Sequence, residues 1–133
     1  MNQTKYIRLL DLSRLKGHEK TSPARNKHVR RLLLKSGSFT KPIIVDKASG
    51  VILDGHHRVF VLRKLGCRKI PALAINYRSA IIKVNSRRKN YKVTKEIVLS
   101  RARKNRLFPY KTTKHLLKAN LPRINFSFNQ LKK

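Results

Sequence analysis

The stretch DGHHR, from Asp54 to Arg58, places two histidines and an arginine directly after an Asp-Gly turn. We expect a buried strand to end here and a helix to begin at Gly55. The first backbone N–H groups of such a helix lack partners, and the helix dipole is positive there. Gly55 lets an anion approach the backbone, and Arg58 and a histidine add directed donors. The stretch therefore predicts a phosphate site, in which Asp54 accepts from a bound group or holds a magnesium ion.

Two other interpretations of this stretch remain open. The adjacent histidines, His56 and His57, can simply cap a helix or lie on the surface. A zinc site is the third interpretation, but it needs more ligands, and the lone Cys67 is expected beyond the helix. The stretch is not a Walker A loop, because that motif requires G-x-x-x-x-G-K-[ST].

A second cluster, KTTKH from Lys111 to His115, supplies two hydroxyls and three potential cations in five positions. That set suits a bound carboxylate or phosphate, although a helix N-terminus with a threonine cap would use the same residues. Carboxylates are scarce in this chain, so any chemistry that needs one must choose among five residues: Asp11, Glu19, Asp46, Asp54 and Glu96.

The segments around these clusters alternate between strand and helix patterns. Residues 6–10 can form a first strand, and PIIVDKASGVIL predicts two buried strands around a turn. A helical pattern covers residues 24–35, and HHRVFVLRKLG predicts a second helix, with glycine stops at Gly37 and Gly66. We expect strands at 69–77 and 80–84.

The C-terminal third begins with a helix from the Thr94 cap to about Lys104, with Glu96 in its first turn. Residues 122–133 alternate weakly and predict a strand or an extended arm. This order of elements predicts a small α/β (α+β) domain with a mixed sheet flanked by helices. We expect residues 1–133 to form one domain, with a core at about 5–117 and a tail at 118–133.

The chain carries a formal charge of +29, from 34 lysines and arginines against five acidic residues. Such a chain binds polyanions at low salt, so a nucleic-acid partner and a merely solvated basic surface both remain open. There is no run of about 20 apolar residues that could cross a membrane. The single cysteine fits a reducing compartment. We therefore expect a cytoplasmic protein with no membrane partner.

The segment VILDGHHRVFVLRKLGCRKIPAL resembles the signature segment of the ParB/sulfiredoxin-like superfamily, in which a strand–D-G-x-H-R–helix element grips nucleotide phosphates. The preceding KPIIVDKASG hairpin is similar as well. His18-Glu19 and LFPYKTTKH resemble motifs of archaeal-type free L-serine kinases, which make O-phospho-L-serine and use ADP as donor in the characterised type. The resemblance spans most of residues 7–117 and implies a ParB/sulfiredoxin-like fold.

The same resemblance implies a kinase that phosphorylates free L-serine from ADP or ATP with Mg²⁺. Glu19 would be the general base, and Asp54 would assist it or bind magnesium. The donor phosphates would be held by Gly55, His56, His57 and Arg58. Serine and its product phosphate would be held by Lys111, Thr112, Thr113, Lys114 and His115.

Two residues depart from the kinase motif. Tyr110 replaces its second proline, and Lys114 stands where the family has arginine, whose planar bidentate contact lysine cannot make. The rival hypothesis is a ParB-like nucleotide-binding domain that acts as a DNA-binding module, although residues 94–133 are short for a helix-turn-helix. A sulfiredoxin is disfavoured because His56 stands where that activity has cysteine. A nuclease would need a carboxylate cluster that the sequence lacks.

Overall fold

The computed structural model describes residues 7–133, and its largest element is a four-stranded mixed sheet. The strand order is β1 (Ile7–Asp11), β5 (Lys69–Ile75), β3 (Ile43–Asp46) and β4 (Ile52–Asp54). Strand β5 is antiparallel to β1 and parallel to β3, and β3 pairs with β4 in an antiparallel hairpin. The predicted mixed sheet is confirmed. The first predicted strand also included Tyr6, which lies outside the described residues.

Within residues 7–133, four α-helices accompany the sheet: α1 (Pro23–Ser36), α2 (His56–Lys64), α3 (Lys95–Lys104) and α4 (Phe128–Lys132). The first three lie close to their predicted ranges because local signals mark their ends. The Thr94 side chain accepts from the backbone N–H of Ile97 and caps α3, as its position before the helix predicted. In the described part of the chain, no helix is long and apolar enough to span a bilayer.

The described part of the chain also contains two small antiparallel strand pairs. Strand β2 (Ser38–Phe39) pairs with β8 (Phe126–Ser127), and β6 (Ile82–Ser86) pairs with β7 (Thr113–Leu117). The strand predicted at 80–84 thus begins two residues later than expected. The alternative of a helix N-terminus at KTTKH is wrong, because residues 113–117 form a strand against β6.

The central strands separate two apolar layers, because successive side chains of a strand point to opposite faces. Ile43 and Val45 face the layer that α2 and α4 cover, while Ile44 faces the layer that α3 and β6 cover. Strand β5 alternates in the same way, with Ile70 in the first layer and Leu73 in the second. Both faces of the central strands β3 and β5 are therefore buried, which explains their nearly continuous apolar runs.

The C-terminal segment differs from its prediction. Residues 128–132 form α4 rather than a strand or an extended arm, because Ser127 and Gln130 make a capping box at its start. The side chain of Leu131 is fully buried in the first apolar layer, and its carbonyl accepts from the Arg68 N–H at 2.8 Å. Five residues are too few for a helical period to appear in the sequence.

The junction between β4 and α2 depends on Gly55, whose φ of 115° lies in the left-handed region. A Cβ on Gly55 would lie 2.9 Å from the Cβ of Ile43 and closer still to its Cγ2. Contacts this short do not occur between real side chains, so the close approach of the turn to β3 requires glycine.

We expect Gly55→Ala to lower the free energy of unfolding by about 3 kcal/mol, from the strained backbone and the clash with Ile43. Gly66→Ala is the matched control, because Gly66 has a similar positive φ of 79° but nothing within 4 Å of a built Cβ. That variant should lose only about 1 kcal/mol. Urea unfolding measures both values, and equal losses would contradict the steric argument.

Candidate active site

A cavity of about 670 Å³ lies where the N-terminus of α2, the Glu19 loop (residues 15–22) and β7 meet. Most of the predicted site residues line it, although they come from three distant parts of the sequence. The ones that do are Glu19, Asp54, Gly55, His56, His57, Arg58, Lys111, Thr113, Lys114 and His115. The structure thus brings the three motifs to one place.

Thr112 does not line the cavity. Its side chain is fully buried, and its hydroxyl donates to the Pro109 carbonyl at 2.7 Å. Its backbone N–H donates instead to Glu19 Oε1 at 2.6 Å, and its carbonyl accepts from the Arg87 N–H. Thr112 therefore positions Glu19 and is not placed to contact a substrate through its side chain.

The two histidines of DGHHR hold the Glu19 loop against α2. Nε2 of His56 accepts from the backbone N–H of His18 at 3.1 Å, and Nε2 of His57 accepts from that of Ser22 at the same distance. A ring nitrogen accepts only without a proton, so both rings carry their proton on Nδ1. Both anchors require neutral imidazoles.

Burial keeps these rings neutral. The pKa of His56 lies well below its usual range, first because burial disfavours the charged ring and then because His18, His115 and His57 surround it. The pKa of His57 is also lowered, mainly by burial and further by Arg25. Protonation of either ring would remove an acceptor from the Glu19 loop.

Glu19 is held in one orientation by its partners on the far side of the cavity. Oε1 accepts from the Thr112 N–H, and Oε2 accepts from the Thr113 hydroxyl at 2.8 Å. Its side chain is only 11% exposed. The loop also exchanges backbone hydrogen bonds with Phe108, which donates to His18 and accepts from Lys20. A carboxylate fixed in this way, with some access to a cavity, is suited to proton transfer.

The free N-terminus of α2 opens on the same cavity. Within residues 7–133 no side chain caps this helix, and its first turn contains no acidic residue. Its first N–H groups and dipole therefore favour an anion there.

Arg58 is largely engaged in holding the walls of the cavity together. Its Nη1 donates to the carbonyls of Lys41 and Pro42 at 2.7 and 3.1 Å, and its Nη2 lies 3.4 Å from Asp54 Oδ2. Burial lowers the pKa of Arg58, while Asp54 opposes that shift. Among the described residues, two of its five N–H groups remain free for a ligand.

Tyr77 orients His115. The Tyr77 hydroxyl lies 2.7 Å from His115 Nε2, and burial raises the pKa of Tyr77, so the phenol keeps its proton and donates it to the ring in the tautomer with an unprotonated Nε2. In that tautomer the His115 proton is on Nδ1, which is buried and has no partner among the described residues. Burial, His18 and Lys95 lower the pKa of His115 to about 3, so the ring is a neutral donor.

The cavity is strongly cationic, with seven lysines and arginines against two carboxylates in its lining. Four of these cations were not predicted, because they share no motif: Lys20 of the Glu19 loop, Arg25 in the first turn of α1, Lys41 before β3 and Arg87 after β6. The sequence predicted Arg87 only as part of the basic loop SRRKNYK. Its backbone bond to Thr112 explains its place at the cavity.

One wall of the cavity is apolar. Val29, Leu32 and Leu33 of α1 and Phe39 of β2 line it, and the Leu32 side chain is 51% exposed. Helix α1 therefore directs part of its apolar face to the cavity rather than to the core.

Asp54 is the one predicted metal ligand. Its side chain is 47% exposed and faces the cavity. In residues 7–133 no three His, Cys, Asp or Glu side chains form a cluster that could hold a metal ion. Magnesium is commonly bound by one or two carboxylates together with substrate phosphates, so a single open carboxylate beside a phosphate site fits this ion. A zinc site, the other interpretation of this stretch, needs more His, Cys, Asp or Glu ligands than the described residues bring together. Cys67 is instead a buried core residue.

Comparison with known proteins gives relatives of two kinds. A ParB-like protein of Sulfolobus acidocaldarius is 50% identical over 52 residues, which are 39% of this chain and 26% of that protein. An ATP-dependent L-serine kinase of Staphylothermus marinus is 33% identical over 82 residues, 59% of this chain and 32% of the kinase. An ADP-dependent L-serine kinase of Thermococcus kodakarensis is 33% identical over 79 residues, which are 56% of this chain and 33% of that kinase. The chain matches about a quarter to a third of the length of these relatives.

Among solved structures, a free serine kinase in complex with AMP gives a TM-score of 0.86 at 17% identity, covering 94% of this chain and 93% of that one. This chain has the free serine kinase fold. SbnI from Staphylococcus aureus, with a C-terminal truncation, gives a TM-score of 0.80 at 12% identity, and the match covers 99% of this chain and 91% of SbnI. The predicted ParB/sulfiredoxin-like fold is therefore confirmed. No family model matches the sequence.

Acid should destabilise the fold through its buried histidines. Burial lowers the pKa of His18 to about 4 and that of His115 to about 3, from 6.5 for an ordinary histidine. The unfolded chain binds more protons in this window, so stability falls as the pH drops from about 6.5 towards 4, by up to about 1.4 kcal/mol per pH unit for each histidine. Urea unfolding at several pH values measures the slope.

The variant His115→Gln isolates one of these contributions, because glutamine does not titrate. Its stability should depend less steeply on pH than that of the wild type, by about the contribution of one histidine. A wild-type protein that is equally stable at about pH 7 and about pH 5 would contradict the neutral buried rings.

Proposed function

We propose that this chain transfers a phosphoryl group from ADP or ATP to the hydroxyl of L-serine. The observation that carries the proposal is the position of Glu19, a hydrogen-bonded and mostly buried carboxylate, in the same cavity as the uncapped N-terminus of α2. Relatives named ATP-dependent and ADP-dependent L-serine kinases support the choice of acceptor and donor.

The donor phosphates would lie at the start of α2. The backbone N–H groups from Gly55 to Arg58 would bind their oxygens, with the spare N–H groups of Arg58 and the Nδ1–H of His56 as further donors. The nucleoside would rest on the apolar wall that Val29 and Leu32 form. Free serine kinase structures in complex with AMP and, for a variant with a glutamate replaced by alanine, with ADP support a nucleotide in this fold.

The acceptor serine would lie between Glu19 and β7. Lys111 and Lys114 supply positive charge for its carboxylate and for the product phosphate, and His115 offers its unpaired Nδ1–H. Lys111 has a φ of 62°, an uncommon conformation for a residue with a side chain. This turn directly precedes the two threonines that hold Glu19.

The chemical step needs one base and a good alignment. Glu19 would take the proton of the serine hydroxyl as its oxygen bonds to the terminal phosphorus of the donor. The bond from that phosphorus to the bridging oxygen of the nucleotide breaks, and AMP or ADP leaves. Phosphoryl transfer depends mainly on positioning and charge neutralisation, which the cationic lining would provide.

Magnesium fits this scheme through Asp54, the open carboxylate at the phosphate end of the cavity. When bound, the ion would neutralise charge on the donor phosphates. Alternatively, Asp54 would support the base. We further propose that residues 1–133 act as one domain in the cytoplasm, where nucleotides and free serine are available.

A nucleic-acid-binding module is the second candidate, because a formal charge of +29 attracts polyanions. The ParB-like relative is compatible with it. In the described residues, however, only the five-residue helix α4 follows α3, so this segment contains no helix-turn-helix. We therefore place this candidate second.

Glu19→Gln should lower kcat for phosphoserine formation at least about 100-fold, because an amide cannot accept the hydroxyl proton. Glu96→Gln is the matched control, since Glu96 lies exposed in the first turn of α3 and should retain nearly full activity. Purified protein with magnesium, L-serine and either ADP or ATP gives the rates. Absence of phosphoserine with both donors, while the nucleotide still binds, would reject the kinase.

Binding to a duplex DNA of about 30 base pairs should weaken at least about 1,000-fold between about 50 and 200 mM salt, as expected for contacts to phosphates alone. Fluorescence anisotropy across the salt series measures this. Tight binding that persists at physiological salt and prefers one sequence would favour the DNA-binding module instead.

A further inference from the structure

His18 is a fully buried histidine that the proposed reaction does not use. It lies between the rings of His56 and His115, with centroid distances of 4.5 and 5.5 Å, and beside Phe108 at 6.4 Å. It is not in the cavity lining. Burying a polar ring immediately before the proposed base costs free energy unless hydrogen bonds offset it.

Two polar contacts, both made by the Thr113 hydroxyl, join His18 to Glu19. Nδ1 of His18 lies 2.8 Å from the Ile52 carbonyl, which can only accept, so Nδ1 carries the proton. Nε2 lies 3.0 Å from the Thr113 hydroxyl oxygen, and that hydroxyl lies 2.8 Å from Glu19 Oε2. The direct distance from Nε2 to Oε2 is 4.0 Å, too long for a hydrogen bond. Thr113 is therefore the link.

The Thr113 hydroxyl has one proton and two possible acceptors. While Glu19 is ionised, this proton is donated to Oε2, and Nε2 of a neutral His18 receives none. Once Oε2 has gained a proton, it donates that proton to the Thr113 oxygen, and the Thr113 proton turns to Nε2. The Thr113 hydroxyl, the Glu19 carboxyl proton and Nε2 of His18 then all have hydrogen-bond partners, so this network fits the protonated carboxyl better than the ionised one.

We propose that His18 is a positioning residue that stabilises the protonated form of Glu19 through a reversal of the Thr113 hydrogen bond. The inference rests on the proposed role of Glu19 as base. The serine hydroxyl loses one proton, Oε2 gains it, and no proton moves to His18. The stabilisation grows as the proton arrives, so it acts on the transition state more than on the bound substrate.

The surroundings of His18 suit this role. The titratable groups that face it are His56 from α2, His115 from β7 and Glu19 from its own loop. Both other histidines are neutral, and burial lowers the pKa of His18 to about 4. His18 therefore keeps a free lone pair on Nε2 near neutral pH.

The first test follows carboxyl protonation without needing activity. The sequence contains two glutamates, Glu19 and Glu96, so protein labelled with ¹³C at the glutamate carboxyl gives one site signal and one exposed reference. In His18→Phe the Glu19 signal should protonate at a lower pH than in the wild type, by about half a unit to one unit, the size of one hydrogen bond. Thr113→Ser should keep the wild-type curve.

A double-mutant comparison shows whether Thr113 is the link. In a Thr113→Val background, His18→Phe should produce no further shift, because the link through Thr113 is already interrupted. A shift of the same size in both backgrounds would overturn the proposal. So would ¹⁵N spectra of the wild type that place the His18 proton on Nε2, a result that needs no variant to fold.

Kinetic measurements test the role of His18 separately from the proposed phosphorylation of L-serine. The acidic limb of kcat against pH should move to lower pH in His18→Phe and kcat should fall, with KM for serine nearly unchanged; an unmoved limb would overturn the proposal. A wild type that forms no phosphoserine would refute the proposed reaction. The NMR titration would still decide separately whether His18 stabilises the protonated carboxyl.

Discussion

The site depends on two hydrogen bonds in which neutral imidazoles accept from backbone N–H groups. His56 and His57 fix the part of the loop on either side of Glu19 to α2. Without them, the loop would keep its bond from Arg63 of α2 to the Leu15 carbonyl, four residues before Glu19, and its bonds to Phe108, to the two threonines and to the β3–β4 hairpin. His56 and His57 also begin the helix whose N-terminus faces the cavity. One short stretch of sequence thus sets the distance between the anion end of the cavity and its carboxylate.

Burial and charge act in the same direction on these rings. Desolvation lowers the pKa of each buried histidine at the site, and nearby rings and cations, such as Arg25 beside His57 and Lys95 beside His115, lower it further. The strongly basic character of the chain is therefore compatible with a precise neutral network at its centre. Cations line the cavity where phosphates would enter, while the groups that orient Glu19 carry no charge.

Much of this could be predicted from the sequence where the signals are local. Gly55 marks the start of α2, Thr94 caps α3, and the DGHHR and KTTKH motifs reach one cavity as their resemblance to serine kinases implied. The remainder depends on partners far away along the chain. Strand β7 is fixed by pairing with β6, and Thr112 turns inward to hold Glu19. No periodicity or composition near residue 112 contains that information.

The bonds from Glu19 to Thr112 and from His18 to Thr113 join residues 93 and 95 positions apart. Contacts of such long range form late, because a large loop must close before they contribute. During synthesis the N-terminal loop would leave the ribosome well before its partners in β7 exist. The nascent chain would therefore carry an unanchored glutamate, and the site would form only after the residues of β7 had been made.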